Sequence, residues 1–332
     1  MKKNLHPPIG RFLSLFLASF FLLVFITILV IIKNKNTSQL TLIANENKFN
    51  LNFDITNNEQ SEFAKALEKL SLPQSVAKGV EFELDATSST KLTFATPIGA
   101  DLKILPGKIT FMGKVNTSFL QDQETKSIKI PISANMAVFS DNLLAFIKSR
   151  LIISQEFSNW LSRNLASDNG QYLVVFGPNS DFALIFNNPN IDLEDLKNIK
   201  DSQSDESLYK EELKDNTKLY LFKLPQALNG EDLTCVFFQE GDLTYFTSSY
   251  EAAQELINVL KSQTPSLDFP QKDISKASLI ILFRNNDQNS AGDEFTNFIL
   301  PGSNNYSRSI NQVRELDFIL RSNEFSGLIN LK

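Results

Sequence analysis

The sequence is nearly without the side chains that carry most enzyme chemistry. Its 332 residues include one histidine, His6, and one cysteine, Cys235. Ser-His-Asp triads, Cys-His pairs, H-E-x-x-H zinc sites and 2-His-1-carboxylate iron sites each need an imidazole inside a folded domain. His6 lies ahead of the first apolar segment, so none of these is available. One cysteine forms no intrachain disulfide, and a chain of this length holds itself together by burial instead. Cys235 sits in the apolar run LTCVFFQ and reads as a small buried hydrophobe, not a reactive thiol. The net charge is −6, with no basic stripe interleaved with aromatics, so nucleic acid is not an expected partner.

What the chain does have is one long uncharged run. From Phe12 to Ile32 there are 21 residues, 17 of them Leu, Ile, Val or Phe. As a helix they span roughly 31 Å, the thickness of a bilayer's hydrocarbon core. Their summed insertion preference is roughly 5 to 10 kcal/mol before Ser14, Ser19 and Thr27 reduce it. A cleaved signal has a shorter core and a small-x-small site; this run exits into Lys33, Asn34 and Lys35. It therefore reads as a retained signal anchor. Lys2, Lys3 and Arg11 precede it and Lys33 and Lys35 follow, a bias that places the N-terminus inside and the rest of the chain outside the cytoplasmic membrane.

The expected organisation is a cytoplasmic tail (1–11), a transmembrane anchor (12–32), a polar tether (33–39), a strand-rich α+β domain (40–152) and a second α+β domain (153–332). In the first, KFNLNFDI (48–55) and VEFELDA (80–86) alternate as half-buried strands, and Pro106-Gly107 joins two alternating runs as a hairpin. Between them Phe63, Ala66, Leu67 and Leu70 share a helical face, with Ser61 placed to cap it and Pro73 to close it. Two more helices are expected behind Ser140 and Ser154. Phe157, Trp160, Leu161 and Leu165 share the face of the second, and the lone Trp160 reads as core.

In the second domain, residues 172–200 and 233–261 both read as a hairpin followed by an amphipathic helix. Val175-Phe176, a turn, and Asp181-Phe182 align with Val236-Phe237, a turn, and Asp242-Leu243. This predicts a duplicated ββα unit about sixty residues apart, each copy packing against the other. KLYLFKLP (218–225) and ASLIILFRN (277–285) read as central strands buried on both faces, and residues 201–216 as an exposed linker or surface helix. The final residues QVRELDFILRSNEFSGLINLK read as two strands around a turn. Either the chain breaks off before a third helix or this hairpin closes the sheet's edge.

Several motifs fail on inspection. Asp201, Gln203, Asp205 and Glu212 fall on calcium-loop positions, but Glu206 replaces the glycine that makes the turn. Asp287, Asn289 and Gly292 have similar spacings, with Phe298 where the bidentate Glu belongs. Ser75 and Lys78 form S-x-x-K, and S-D-N occurs at 140–142 and 167–169, yet K-T-G is absent and Gly79 and a strand follow at once. Asn36-Thr37-Ser38, Asn116-Thr117-Ser118 and Asn305-Tyr306-Ser307 match a glycosylation pattern by coincidence. No catalytic, metal-ligating or cofactor-binding residue is assigned, and no cofactor is expected.

The run LTYFTSSYEAAQELINVLK, leading to SLIILF, resembles an uncharacterised family of bacterial membrane-anchored or lipoprotein-like envelope proteins carrying a domain of unknown function. That family has no agreed activity or site to transfer. The expected fold class is α+β, with an N-terminal transmembrane helix, antiparallel sheets and helices on one face. The expected function is a non-catalytic binding or structural module of the cell envelope. Its partners are the lipid bilayer through Phe12 to Ile32 and a protein partner or second copy. A subunit of a trans-envelope assembly such as a pilus or secretion platform is the alternative; a penicillin-binding-like or carboxylate-based hydrolase comes third.

Overall fold

Period-two alternation of apolar and polar residues is written into most of this chain, and it folds accordingly. The computed structural model describes residues 38–332 apart from 46–47, 56–58, 70–79, 84–97, 116–120, 142, 145–154, 165–169, 177–180, 188–190, 192, 199–208, 228–230, 272 and 286–310. Contacts divide the chain into two compact units, one of residues 1–121 with 281–332 and one of residues 122–280.

The first unit opens with β1 (Ser38–Asn45), β2 (Lys48–Asp54), α1 (Gln60–Lys69), β3 (Val80–Glu83), β4 (Ile98–Leu105) and β5 (Lys108–Lys114). The chain then builds the second unit. Its elements are β6 (Gln123–Glu124), β7 (Ile128–Pro131), β8 (Ala134–Ser140), α2 (Gln155–Asn164), β9 (Gln171–Phe176), β10 (Asp181–Asn187), a 3₁₀ turn (Leu193–Asn198), β11 (Tyr209–Lys214) and β12 (Thr217–Ala227). They continue with β13 (Glu231–Glu240), β14 (Leu243–Thr247), α3 (Tyr250–Leu260), β15 (Ser266–Phe269) and β16 (Lys276–Ala277). The strand β17 (Leu279–Arg284) returns to the first unit, which ends with β18 (Val313–Leu320) and β19 (Glu324–Leu331).

The first unit's sheet runs β17-β18-β19-β5-β4-β1-β2-β3, and the chain's last strand pairs antiparallel with β5 from Glu324↔Lys114 to Asn330↔Lys108. One face is dry: Leu102, Ile104, Ile109, Phe111, Phe318, Phe325 and Ile329 are buried, whereas Asp101, Lys103, Lys108, Met112 and Lys114 between them are exposed. α1 covers that face beside β4 with Phe63 and Ala66. Phe111, Phe318 and Phe325 form a triangle with ring centroids 6.2 to 6.4 Å apart. Two of these rings need glycine opposite them. Phe325 lies across from Gly113 and Phe111 across from Gly327, and a Cβ on either glycine would sit within 2.4 Å of the facing ring.

The second unit's sheet runs β11-β12-β13-β14-β10-β9-β8, antiparallel throughout. Here β9, β10 and β14 are buried along nearly their whole length, because both faces are covered. On one face Phe157 of α2 stacks on Phe222 at 4.7 Å and meets the edges of Phe237 and Phe246. On the other, Phe238 stacks on Tyr245 at 4.5 Å and Tyr172 meets Phe139 and, from β15, Phe269. α3 buries Ala252, Ala253, Leu256, Ile257 and Val259 against β7, β10, β13 and β14. Tyr172 also ties down the chain between β6 and β7. Its hydroxyl donates to the Lys126 carbonyl at 2.7 Å and accepts from the Lys126 N–H at 2.8 Å.

This architecture corrects the expected fold class. With nineteen strands and three α-helices among the described residues, the protein is mostly antiparallel β, not α+β with helices on one face. The ββα duplication survives only as two hairpins. β10 is followed by a six-residue 3₁₀ turn where an α-helix was expected, and the hairpins join edge to edge through β10 and β14. The aligned positions are not equivalent either: Val175 pairs Phe182 beside its turn, whereas Val236 pairs Thr247 at the far end of its hairpin. Residues 209–214 are a strand, β12 alternates in exposure instead of being buried on both faces, and the final hairpin lies inside its sheet. No helix among the described residues is long and apolar enough to cross a membrane; Phe12–Ile32 lies outside them.

Two substitutions test this packing. Gly327→Ala forces a Cβ into the Phe111 ring and is expected to lower stability by about 1 to 3 kcal/mol in urea unfolding. Tyr172→Phe leaves the Lys126 carbonyl and N–H without their partner, at an expected cost of about 1 to 3 kcal/mol in the same assay.

Candidate functional site

The outer face of the first unit's sheet is built around the β4-β5 hairpin. Pro106 presets the turn and Gly107, at φ +67°, takes the left-handed position, so Leu105 pairs Lys108 directly. That fixes the register of everything beyond it. Asp101 faces Met112, Lys103 faces Thr110, and through β19 and β18 the rows continue as Met112–Ser326–Ile319 and Thr110–Leu328–Asp317.

The start of β1 is fixed with equal definition. Ser38 pairs Leu102 and is fully buried, and its hydroxyl donates to Glu59. The other Glu59 oxygen accepts the Ile104 N–H at 3.1 Å. The Glu59 carbonyl accepts from the Phe63 N–H at 3.0 Å, so α1 begins two residues earlier than a Ser61 cap would set it.

These strands enclose a shallow depression of about 420 Å³. Met112, 64 % exposed, and the half-buried Ile319 and Leu328 provide its apolar surface, with Leu102, Phe111 and Gly327 beneath. Leu328 is diagonal to both Met112 and Ile319, so the three form one continuous patch. Asp101, Lys103 and Asp317 stand around it, and Gln39 donates to Asp101 at 3.4 Å. Three strand spacings separate the two aspartates, about 14 Å across the sheet. Carboxylate pairs that cleave glycosides stand about 5 to 9.5 Å apart, a spacing this pair does not match.

Elsewhere the titratable groups serve packing. Cys235 is fully buried and burial pushes its thiol far above the usual range. Burial likewise raises the Asp181 carboxyl against hydrogen bonds from Ser249 and Ser248. Ser248 donates to Asp181 at 3.2 Å and accepts the Phe182 N–H at 2.8 Å, which joins β10 to the start of α3. Glu212 accepts the Tyr250 hydroxyl at 2.6 Å, which holds its carboxyl below the usual range.

Of the motifs weighed in the sequence, Glu212 lies in the extended β11 and Ser140 is buried at the end of β8 with its hydroxyl 3.3 Å from Asp141. Ser75, Lys78, Ser167, Asn169, Asp201, Gln203, Asp205, Asp287, Asn289, Gly292 and Phe298 lie outside the described residues. Among the described residues no cluster of three or more His, Cys, Asp or Glu is placed to hold a metal ion. Met112, Ile319 and Leu328 were not singled out from the sequence. Their one signal was an apolar residue on the polar phase of an alternating strand.

Comparison with known proteins adds little. No protein-family model matches the chain, and no curated protein does. Among solved structures, that titled "Structure of crystal form I of TP0453" is similar at 11% identity and a TM-score of 0.32, over 59% of this chain and 73% of that one. A likeness of that size carries nothing about fold or function.

The burial of Cys235 is directly measurable. An aromatic disulfide reagent is expected to leave the native protein unmodified and to titrate one thiol after denaturation; rapid labelling of the folded chain would contradict the packing of β13.

Proposed function

We propose that this chain is a non-catalytic binding module of the cell envelope, attached to the cytoplasmic membrane through the apolar segment Phe12–Ile32 and presenting the outer face of its first unit to a ligand. The observation that carries this reading is the continuous apolar patch formed by the exposed Met112 with the half-buried Ile319 and Leu328. On a wet sheet face these positions are ordinarily polar, as Lys103, Lys108 and Lys114 are. An apolar patch with charges only at its margin is what a recognition surface needs.

The length and composition of residues 12–32 support the attachment, and the cations before it support export of the remainder. The polar groups at the face suit the same reading. Asp101, Lys103 and Asp317 border the apolar patch, where they can orient a ligand.

Fractionation of cells expressing the full chain with a C-terminal tag tests the proposal. The protein is expected to stay with alkali-washed membranes, and the tag to be digested by protease added to spheroplasts. Recovery in the soluble fraction with the first residues missing, or a tag shielded from that protease, would overturn it.

A further inference from the structure

The depression and the point where the chain joins the sheet are neighbours. Ser38 is buried, paired with Leu102 and held by Glu59. The residues on either side of Leu102, Asp101 and Lys103, line the depression, and Met112 lies one strand further on. At about 4.8 Å per strand, Met112 is therefore roughly 10 Å from Ser38 across the sheet.

Six residue steps separate Ser38 from Ile32, the last residue of the apolar segment. A chain reaches at most about 3.6 Å per residue, so Ser38 lies within roughly 21 Å of the end of that segment whatever path the tether takes. The headgroup layer occupies about 5 to 8 Å beyond each side of the hydrocarbon core. The exposed apolar patch is thus confined to the immediate neighbourhood of a lipid leaflet, where tethering makes any contact effectively intramolecular.

From this placement, and resting on the proposed membrane attachment, we infer that the occupant of the depression is a lipid acyl chain from the leaflet to which the protein is tethered. The chemistry fits. Met112, Ile319 and Leu328 offer contact without demanding hydrogen bonds from the ligand, and methionine adapts its shape to a flexible chain. Lys103, on the side nearest Ser38, is the cation lining the depression and can meet a lipid phosphate.

The test uses the full chain in phosphatidylethanolamine/phosphatidylglycerol vesicles. Met112→Cys is labelled with an environment-sensitive fluorophore, with Lys65→Cys, an exposed position of α1 over the opposite face of the same sheet, as control. Because Cys235 is buried, labelling of the folded protein is confined to the new thiol. With lipids carrying a spin label on the acyl chain, the probe at 112 is expected to lose most of its emission and the probe at 65 to keep it. Adding Leu328→Glu should restore the emission at 112 while the protein still floats with the vesicles.

Flotation without quenching at 112, or equal quenching at both positions, would overturn the acyl-chain assignment and leave the membrane attachment standing. So would a probe at 112 that is shielded but unquenched in proportion to protein density, which would mark a second copy of the chain as the occupant. Failure of the protein to float would overturn the attachment itself, and the assignment with it.

Discussion

The pairing of β19 with β5 is the contact on which the first unit depends. It joins residues more than two hundred positions apart, Glu324 with Lys114 and Asn330 with Lys108, and places β19 between its hairpin partner β18 and β5, a strand made far earlier in the chain. Without it β5 would be an open edge, and the Phe111, Phe318 and Phe325 triangle would lose two of its rings. The pairing tolerates no slip, because a shift of one residue would turn Phe325 and Ile329 outward and bring Leu328 in. Gly113 and Gly327 add a second lock, since each large ring has one place across the ladder where no Cβ obstructs it. Contacts of such sequence separation carry a large loop-closure cost before they are rewarded, so this unit assembles late compared with its local hairpins.

The two units resolve the two-faced nature of a sheet differently. In the second, rings from α2 cover one face and Phe269 contributes to covering the other, which is why β9 reads as uninterrupted burial from Gln171 to Phe176. In the first, the described helix α1 covers the dry face beside β4, and the other face is left to solvent with strict alternation along β5. The sheet that leaves one side open is also the sheet into which the N-terminal segment feeds directly, at Ser38.

How much of this could be read beforehand follows from the range of each interaction. The helical faces of Phe63 with Ala66 and of Phe157, Trp160 and Leu161 depend on spacings of three and four residues, and the structure buries them all. The Pro106-Gly107 hairpin depends on two residues and was equally legible. Long-range partners were not. Nothing local in NEFSGLINL names KITFMGK as its neighbour. Apolar matching between residues 172–187 and 233–248 suggested a repeat because both segments are buried hairpins, whereas their turns differ in length and set different registers. The apolar patch was hidden for a related reason: Met112, Ile319 and Leu328 are each unremarkable in their own strands, and only cross-strand pairing assembles them.

Cross-strand pairing is what makes these three side chains one patch. Single apolar side chains on a protein surface need no explanation, since much of any folded surface is apolar. A contiguous group is different, because it adds a sticky area to a sheet face that also carries Asp101, Lys103, Lys108 and Lys114 at exposed positions. In a freely diffusing protein such a patch would favour self-association. Under the proposed membrane attachment the condition differs: the nearest and most abundant neighbour of the patch would be lipid, and copies of the chain would meet only within the plane of the membrane. On that proposal an apolar phase able to cover the patch would lie beside it, and Ser38, hydrogen-bonded to Glu59, fixes the start of β1 in the sheet that carries the patch.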